Sequence, residues 1–249
     1  MTKYRKIKKK KSIFKNKLFW LILICFVLII SICYLLFLSP VFKIKDIKIT
    51  GDLKYENVNE IETKAWQMIP KNILFLQKGS IIDNLLKQYI VLDEVEIKKE
   101  FPNKIEISLE ERKPVANFCN DKCWYVDEDG IAFKELGDKD EAYVVLISEK
   151  PEENISPNVI SKELLNSILL SKDEIKKLIG LNILECSFSN LKIELKTEQE
   201  WLAILDPKGN IKNQVSSLNL VFKNKIGEED ALKIDYIDVR LDKIFYMMK

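Results

Sequence analysis

The sequence of 249 residues contains no histidine. Its absence removes Ser-His-Asp and Cys-His nucleophile machinery, His-ligated zinc, and every side chain whose unperturbed pKa lies near neutrality. Glycine is scarce as well: seven residues, at 51, 79, 130, 137, 180, 209 and 227, never spaced as a GxGxxG or GxxxxGK phosphate loop. Dinucleotide-binding and P-loop enzymes are excluded on that count, and no cofactor is expected. A net charge of +2 looks neutral, but the charge is unevenly placed. Nine of the 40 basic residues stand in the first 17 positions with no acid among them, leaving 31 basic against 38 acidic residues for the rest.

The basic tail gives way to an apolar run. Residues 18–38 carry no charge and are dominated by Leu, Ile, Phe and Val; as a helix they span roughly 31 Å, the thickness of a bilayer's hydrocarbon core. A buried core helix would show a polar stripe, and this run has none. A cleavable signal peptide would have a shorter apolar stretch and a small-x-small pair near Ser39-Pro40. The segment therefore reads as an uncleaved anchor, and the Lys/Arg bias predicts a cytoplasmic N-terminus with everything from Pro40 translocated. The basic tail suits anionic lipid; for a nucleic-acid partner it lacks interleaved aromatics beyond Tyr4 and Phe14.

Residues 41–51 alternate in polarity but change phase between Ile44 and Ile47, predicting a strand with a bulge or a late start. Asn57 and Glu60 open a helix with Val58, Ile61, Ala65 and Met68 on one face. A second helix is expected from Ser80, with Ile81, Leu85 and Tyr89 together. Two period-two runs, around Val95/Ile97 and Ile105/Ile107/Leu109, are joined by Phe101-Pro102-Asn103 and predict a hairpin. The order strand, helix, helix, strand, strand allows both helices to cover one sheet face.

Cys119 and Cys123 bracket three polar residues in a predicted hairpin turn, where a disulfide and two free thiols are both open. Two cysteines supply only half a zinc site, so no metal is expected. The Asp127-Glu128-Asp129-Gly130 segment reads as a strand-joining turn, since it lacks the remaining ligands of a calcium loop. Residues 143–147 form a further apolar strand, and 149–157 a polar linker. A helix starts from Ser161, with a break or re-capping at Ser171 and Glu174. Three strands come next, over 181–188, 191–195 and 201–205, the first two turned at Ser189-Asn190. A helix through Ile211, Val215, Leu218 and Phe222 precedes the closing run 232–246. The expected class is α+β: one N-terminal transmembrane helix, a β-α-α-β-β domain, then a second α+β domain whose mainly antiparallel sheet ends in an edge strand.

The run VEIKKEFPNKIEISLEERKPVA (residues 95–116) resembles the POTRA domain of the FtsQ/DivIB cell-division family, with Phe101-Pro102, Glu111-Arg112 and Pro114-Val115-Ala116 in register. The hairpin WYVDEDGIAF (124–133), with Asp127 and Gly130, and the strand YIDVR (236–240), with Tyr236, Asp238 and Arg240, resemble the family's second domain. The resemblance implies a tail over 1–17, an anchor over 18–39, a POTRA domain over 40–113 and a C-terminal domain over 114–249. It further implies a non-enzymatic division scaffold in the plasma membrane at the septum, with FtsB/DivIC-like and FtsL-like bitopic partners and an FtsW/FtsI-like septal synthase. Asp238 and Arg240 share a strand face and suit an ion pair. Residues 241–246 are apolar and aromatic-rich, guarded only by Asp242 and Lys243. As a sheet edge, Leu241, Lys243, Ile244, Phe245 and Tyr246 would accept a partner's strand, as the resemblance also implies. The competing readings are a POTRA-bearing component of a secretion or envelope-assembly system, and a tethered hydrolase using Glu110/Glu111 or Asp127/Asp129. Adjacent acids on a strand point to opposite faces, which argues against the latter.

Overall fold

The computed structural model describes residues 17–148, 157–189, 191–226, 233–241 and 243–249. Most of the expected basic tail, the linker up to residue 156, the turn residue Asn190, Leu232 and the expected charged guard Asp242 lie outside the described residues. The chain divides into two compact units, one ending at Glu110 and the other beginning at Glu111.

The first unit opens with α1 (Lys17–Phe37), which has no buried residue and is long and apolar enough to cross a membrane. Apart from Phe37 at its end, which stacks on Phe75, its apolar side chains are left for lipid, which is what an unbroken apolar run dictates. A one-turn 3-10 helix at Pro40–Phe42 leads into β1 (Asp46–Thr50), so the phase change after Ile44 is a late strand start. α2 (Val58–Met68) begins at Asn57, whose side chain accepts from Asn59 N, and buries Ile61 and Ala65. α3 runs Lys78–Gln88 and buries Ile81 and Leu85. It starts two residues before the expected Ser80 and has no side-chain cap. A preceding 3-10 turn at Ile73–Phe75, capped by Asn72, delivers the chain into helical geometry early, and Tyr89 falls just beyond the last turn. β2 (Leu92–Glu100) and β3 (Lys104–Glu111) form the hairpin around Phe101-Pro102, a cis peptide. β3 is central, in the order β1-β3-β2, and pairs parallel with β1, placing Ile47 beside Ile105 and Ile49 beside Ile107. Ile47, Val95, Ile97, Ile105 and Ile107 are buried, so period-two patterning forms one apolar face.

The second unit is built, among the described residues, on nine strands: β4 (Ala116–Cys119), β5 (Cys123–Val126), β6 (Ala132–Leu136), β7 (Val145–Ser148), β8 (Ile183–Phe188), β9 (Ile193–Thr197), β10 (Leu202–Leu205), β11 (Ile234–Asp238) and β12 (Phe245–Met248). Their order is β12-β11-β10-β9-β8-β7-β4-β5-β6. Hairpin pairs are antiparallel, while β4/β7, β7/β8 and β10/β11 are parallel. Antiparallel pairing predominates. The strand expected over 143–147 begins two residues late, at Val145.

α4 (Lys162–Ile179) is capped by Ser161 and stopped at Gly180, which takes φ +86°. Lys176 and Lys177 complement the carbonyl end. The expected break at Ser171 does not occur. The Ser171 hydroxyl donates to Ser167 O at 2.7 Å, so its polar atom is satisfied without interrupting the helix. α5 (Ile211–Val221) continues as a π-turn over Phe222–Ile226. α4 and α5 pack together and bury Leu165, Ile168, Ile175, Val215 and Leu218 in the core shared with the sheet. Trp201, fully buried, stacks on Phe222 with centroids 5.8 Å apart.

A candidate partner-binding edge

The closing run is two strands instead of one. β11 ends at Asp238, whose carboxylate accepts from Arg240 N at 3.1 Å, Arg240 Nε at 3.0 Å and Arg240 Nη2 at 2.7 Å. Val239 N donates to Ile204 O at 3.0 Å and its side chain is buried, tying this corner to β10. With the corner held, the chain reverses and β12 returns antiparallel on β11, pairing Phe245 with Asp238 and Tyr246 with Ile237. Burial pushes the Asp238 carboxyl up, but the side-chain and backbone hydrogen bonds and charge of Arg240 outweigh it, and the net shift is downward. The Arg240 guanidinium is shifted up in return, chiefly by its hydrogen bond to Asp238.

β12 is the terminal strand of the nine. Phe245, Tyr246, Met247 and Met248 are respectively 50, 48, 51 and 39% exposed, and the strand contains no charged residue. Of the five residues expected on the edge, only Phe245 and Tyr246 lie in it. Leu241 and Lys243 stand in the turn before it, and Ile244 packs against the core. The corner at Val239–Arg240 consumes the residues that an uninterrupted strand would have used. Met247 and Met248 complete the edge; their apolar character at the end of the run was the signal for them.

Arg112, Asp127 and Gly130 come together at the opposite end of the sheet. Arg112 Nη1 donates to Asp127 Oδ2, forming an ion pair in which both side chains are largely buried. Asp127 Oδ1 accepts from Asp129 N at 3.0 Å and Ile131 N at 2.8 Å, shaping the β5–β6 turn. Gly130 takes φ +81°, and a Cβ there would come 2.0 Å from Ile160 O, so only glycine fits. Asp129 Oδ1 accepts from Lys162 Nζ at 2.6 Å, and this hydrogen bond and the lysine's charge hold the Asp129 carboxyl below its usual value. The carboxylates that suggested a calcium loop thus serve the turn and two cations. Glu111 and Pro114 flank Arg112 on the approach to β4, and Tyr236 lies in β11. Phe101 is exposed, with Pro102, at the β2–β3 turn of the first unit. Cys119 and Cys123 sit opposite each other across the β4–β5 turn and are joined as a disulfide. The Cys186 thiol is free and buried in the core, which pushes its pKa up.

Residues 42–112, which span the β1-α2-α3-β2-β3 unit, match the family model of the POTRA domain, FtsQ-type. Curated relatives carry the name cell division protein DivIB. One from Clostridium botulinum (strain Loch Maree / Type A3) is 34% identical over 49% of this chain and 46% of the relative. One from Bacillus subtilis (strain 168) is 26% identical over 59% of this chain and 54% of the relative. The chain thus carries an FtsQ-type POTRA domain and is similar to DivIB proteins. It spans about half the length of the curated relatives it matches. The FtsQ/DivIB resemblance read from residues 95–116 therefore rests on a domain whose strands, helices and order are those of the structure.

Proposed function

We propose that this protein is a non-enzymatic scaffold of the bacterial division machinery, held in the plasma membrane by α1 with its N-terminus cytoplasmic and both folded units outside. The names of its relatives and the FtsQ-type POTRA match support a role in division. The observation that carries the binding mode is the open edge of β12, apolar, uncharged and last in its sheet. Such an edge binds an extended segment through main-chain hydrogen bonds, with alternate side chains supplying specificity. The segment would come from FtsB/DivIC-like and FtsL-like bitopic proteins, with the POTRA unit contacting the septal synthase pair near the bilayer.

A chain ending at Arg240, which removes β12 whole, is expected to lose capture of purified DivIC/FtsL-type partners while its second unit still unfolds cooperatively. Normal partner retention by that shortened chain refutes the strand-addition reading. A fluorescent fusion is expected at mid-cell in dividing cells, and uniform peripheral staining counts against the division role.

A further inference from the structure

The junction between α1 and the POTRA unit is a built contact. Asn72, buried, donates from Nδ2 to Leu36 O at 2.9 Å, satisfying one of the carbonyls that a helix end leaves open, while its Oδ1 accepts from Leu74 N. The rings of Phe37 and Phe75 stack with centroids 5.4 Å apart. Ser39 caps the 3-10 turn at Pro40–Phe42, Lys43 bridges to Asn72, and Ile44 N donates to Lys71 O at 2.9 Å. The loop bearing Lys71 to Phe75 is thereby fixed at the height of the last turn of α1.

That height is set by length. The 21 residues of α1 rise about 31 Å, which places Phe37 at the boundary between hydrocarbon and headgroups if the helix crosses a bilayer. Around this level, Leu38 is 65% exposed, Phe75 53% and Val41 46%. Beside them Lys43 and Lys71 are exposed and make no ion pair with any described residue. An aromatic and aliphatic patch rimmed by lysines, continuous with a membrane span, has the chemistry of an interfacial lipid contact.

We propose that this face of the POTRA unit is seated on the outer leaflet, with Phe75 and Val41 entering the headgroup–acyl boundary and Lys43 and Lys71 meeting phosphates of anionic phospholipid. The inference rests on the membrane-anchor reading and is independent of the division role. It makes the anchor and the POTRA unit one rigid lever instead of a domain on a free tether, so the orientation of the unit to the bilayer is fixed.

The full chain in vesicles of phosphatidylethanolamine and phosphatidylglycerol, carrying the photocrosslinker p-benzoylphenylalanine in place of Phe75, tests this. Position 29, mid-way along α1, and position 184, exposed on the second unit, serve as controls. Lipid adducts, read by mass spectrometry, are expected at 75 in a yield close to that at 29 and severalfold above that at 184. A yield at 75 no higher than at 184, while 29 labels, overturns the proposal. Failure at 29 as well overturns it together with the anchor. K43E combined with K71E is expected to lower the adduct yield at 75 severalfold, and an unchanged yield overturns the phosphate contact. In cells, capture of a protein at 75 in place of lipid also overturns it.

Discussion

The two edges of the nine-stranded sheet are finished in opposite ways. At β6, Lys134 and Glu135 place charge on the strand, and Glu135 pairs with Lys122 of the neighbouring turn at 2.6 Å. The β5–β6 pairing shifts register at Tyr125/Val126, and the start of β6 is covered by Ala132 N donating to Pro157 O at 2.7 Å. Charge, irregularity and a covering segment are the devices by which natural sheets prevent edge-to-edge association. β12 also has a register shift, where Met247 and Met248 face Tyr236 and Ile234, but it carries no charge along Phe245–Met248 and no described strand lies beyond it. One edge is closed and the other is open, and the contrast within a single sheet is what points to β12 as a surface kept for a partner.

The largest effect expected is on binding: ending the chain at Arg240 should weaken partner affinity by about a thousandfold, about 4 kcal/mol. Titration of the purified partner checks this, and it breaks the comparison if affinity survives. The closed edge depends on the turn held by Asp127, so Arg112→Ala, which leaves a buried carboxylate unpaired, should cost about 3 kcal/mol of stability. It should also raise amide exchange through β6 while sparing partner affinity, as read by denaturant melts and hydrogen exchange. Placing a guard on the open edge with Tyr246→Lys should weaken the partner about tenfold; a variant that binds normally would show that side chains on this strand are irrelevant.

The smallest effect concerns pH at the corner before β12. The Asp238 carboxyl is depressed below the ordinary aspartate value of 3.8 in the folded protein. Its contribution to stability is therefore present above pH 3.8 and is lost as pH falls below that value through the folded pKa. Asp238→Asn lacks this contribution. Thermal melts should find the gap between wild type and variant constant near neutrality and shrinking on acidification below pH 3.8.

Local patterning carried a good part of the fold. The phase of Val95/Ile97 and Ile105/Ile107, the Asn57 and Ser161 caps and the stop at Gly180 are short-range signals, and the elements formed where they stood. Boundaries moved where a neighbour outweighed local preference, as at Lys78 after the Asn72-capped turn and through Ser171, whose hydroxyl found a carbonyl within its own helix. The site was half legible. Asp238 and Arg240 suited a pair by spacing, and the last residues read as an edge. The reversal between Asp238 and Phe245 was hidden because apolar alternation runs on from Ile237 through Val239 to Leu241, past the end of β11.

The sequence by itself determined the elements whose causes lie within a few residues: the uncharged span of α1, the capped helices, the alternating strands and the hairpin turns. Only tertiary structure decided which strands became neighbours. The parallel pairs β4/β7, β7/β8 and β10/β11 join segments far apart in the chain, and the Arg112–Asp127 contact closes across 15 residues. No local pattern encodes such pairings, because their free energy comes from burying one shared core, and that same burial left β12 at the margin of the described sheet, with one side of its backbone facing no other strand.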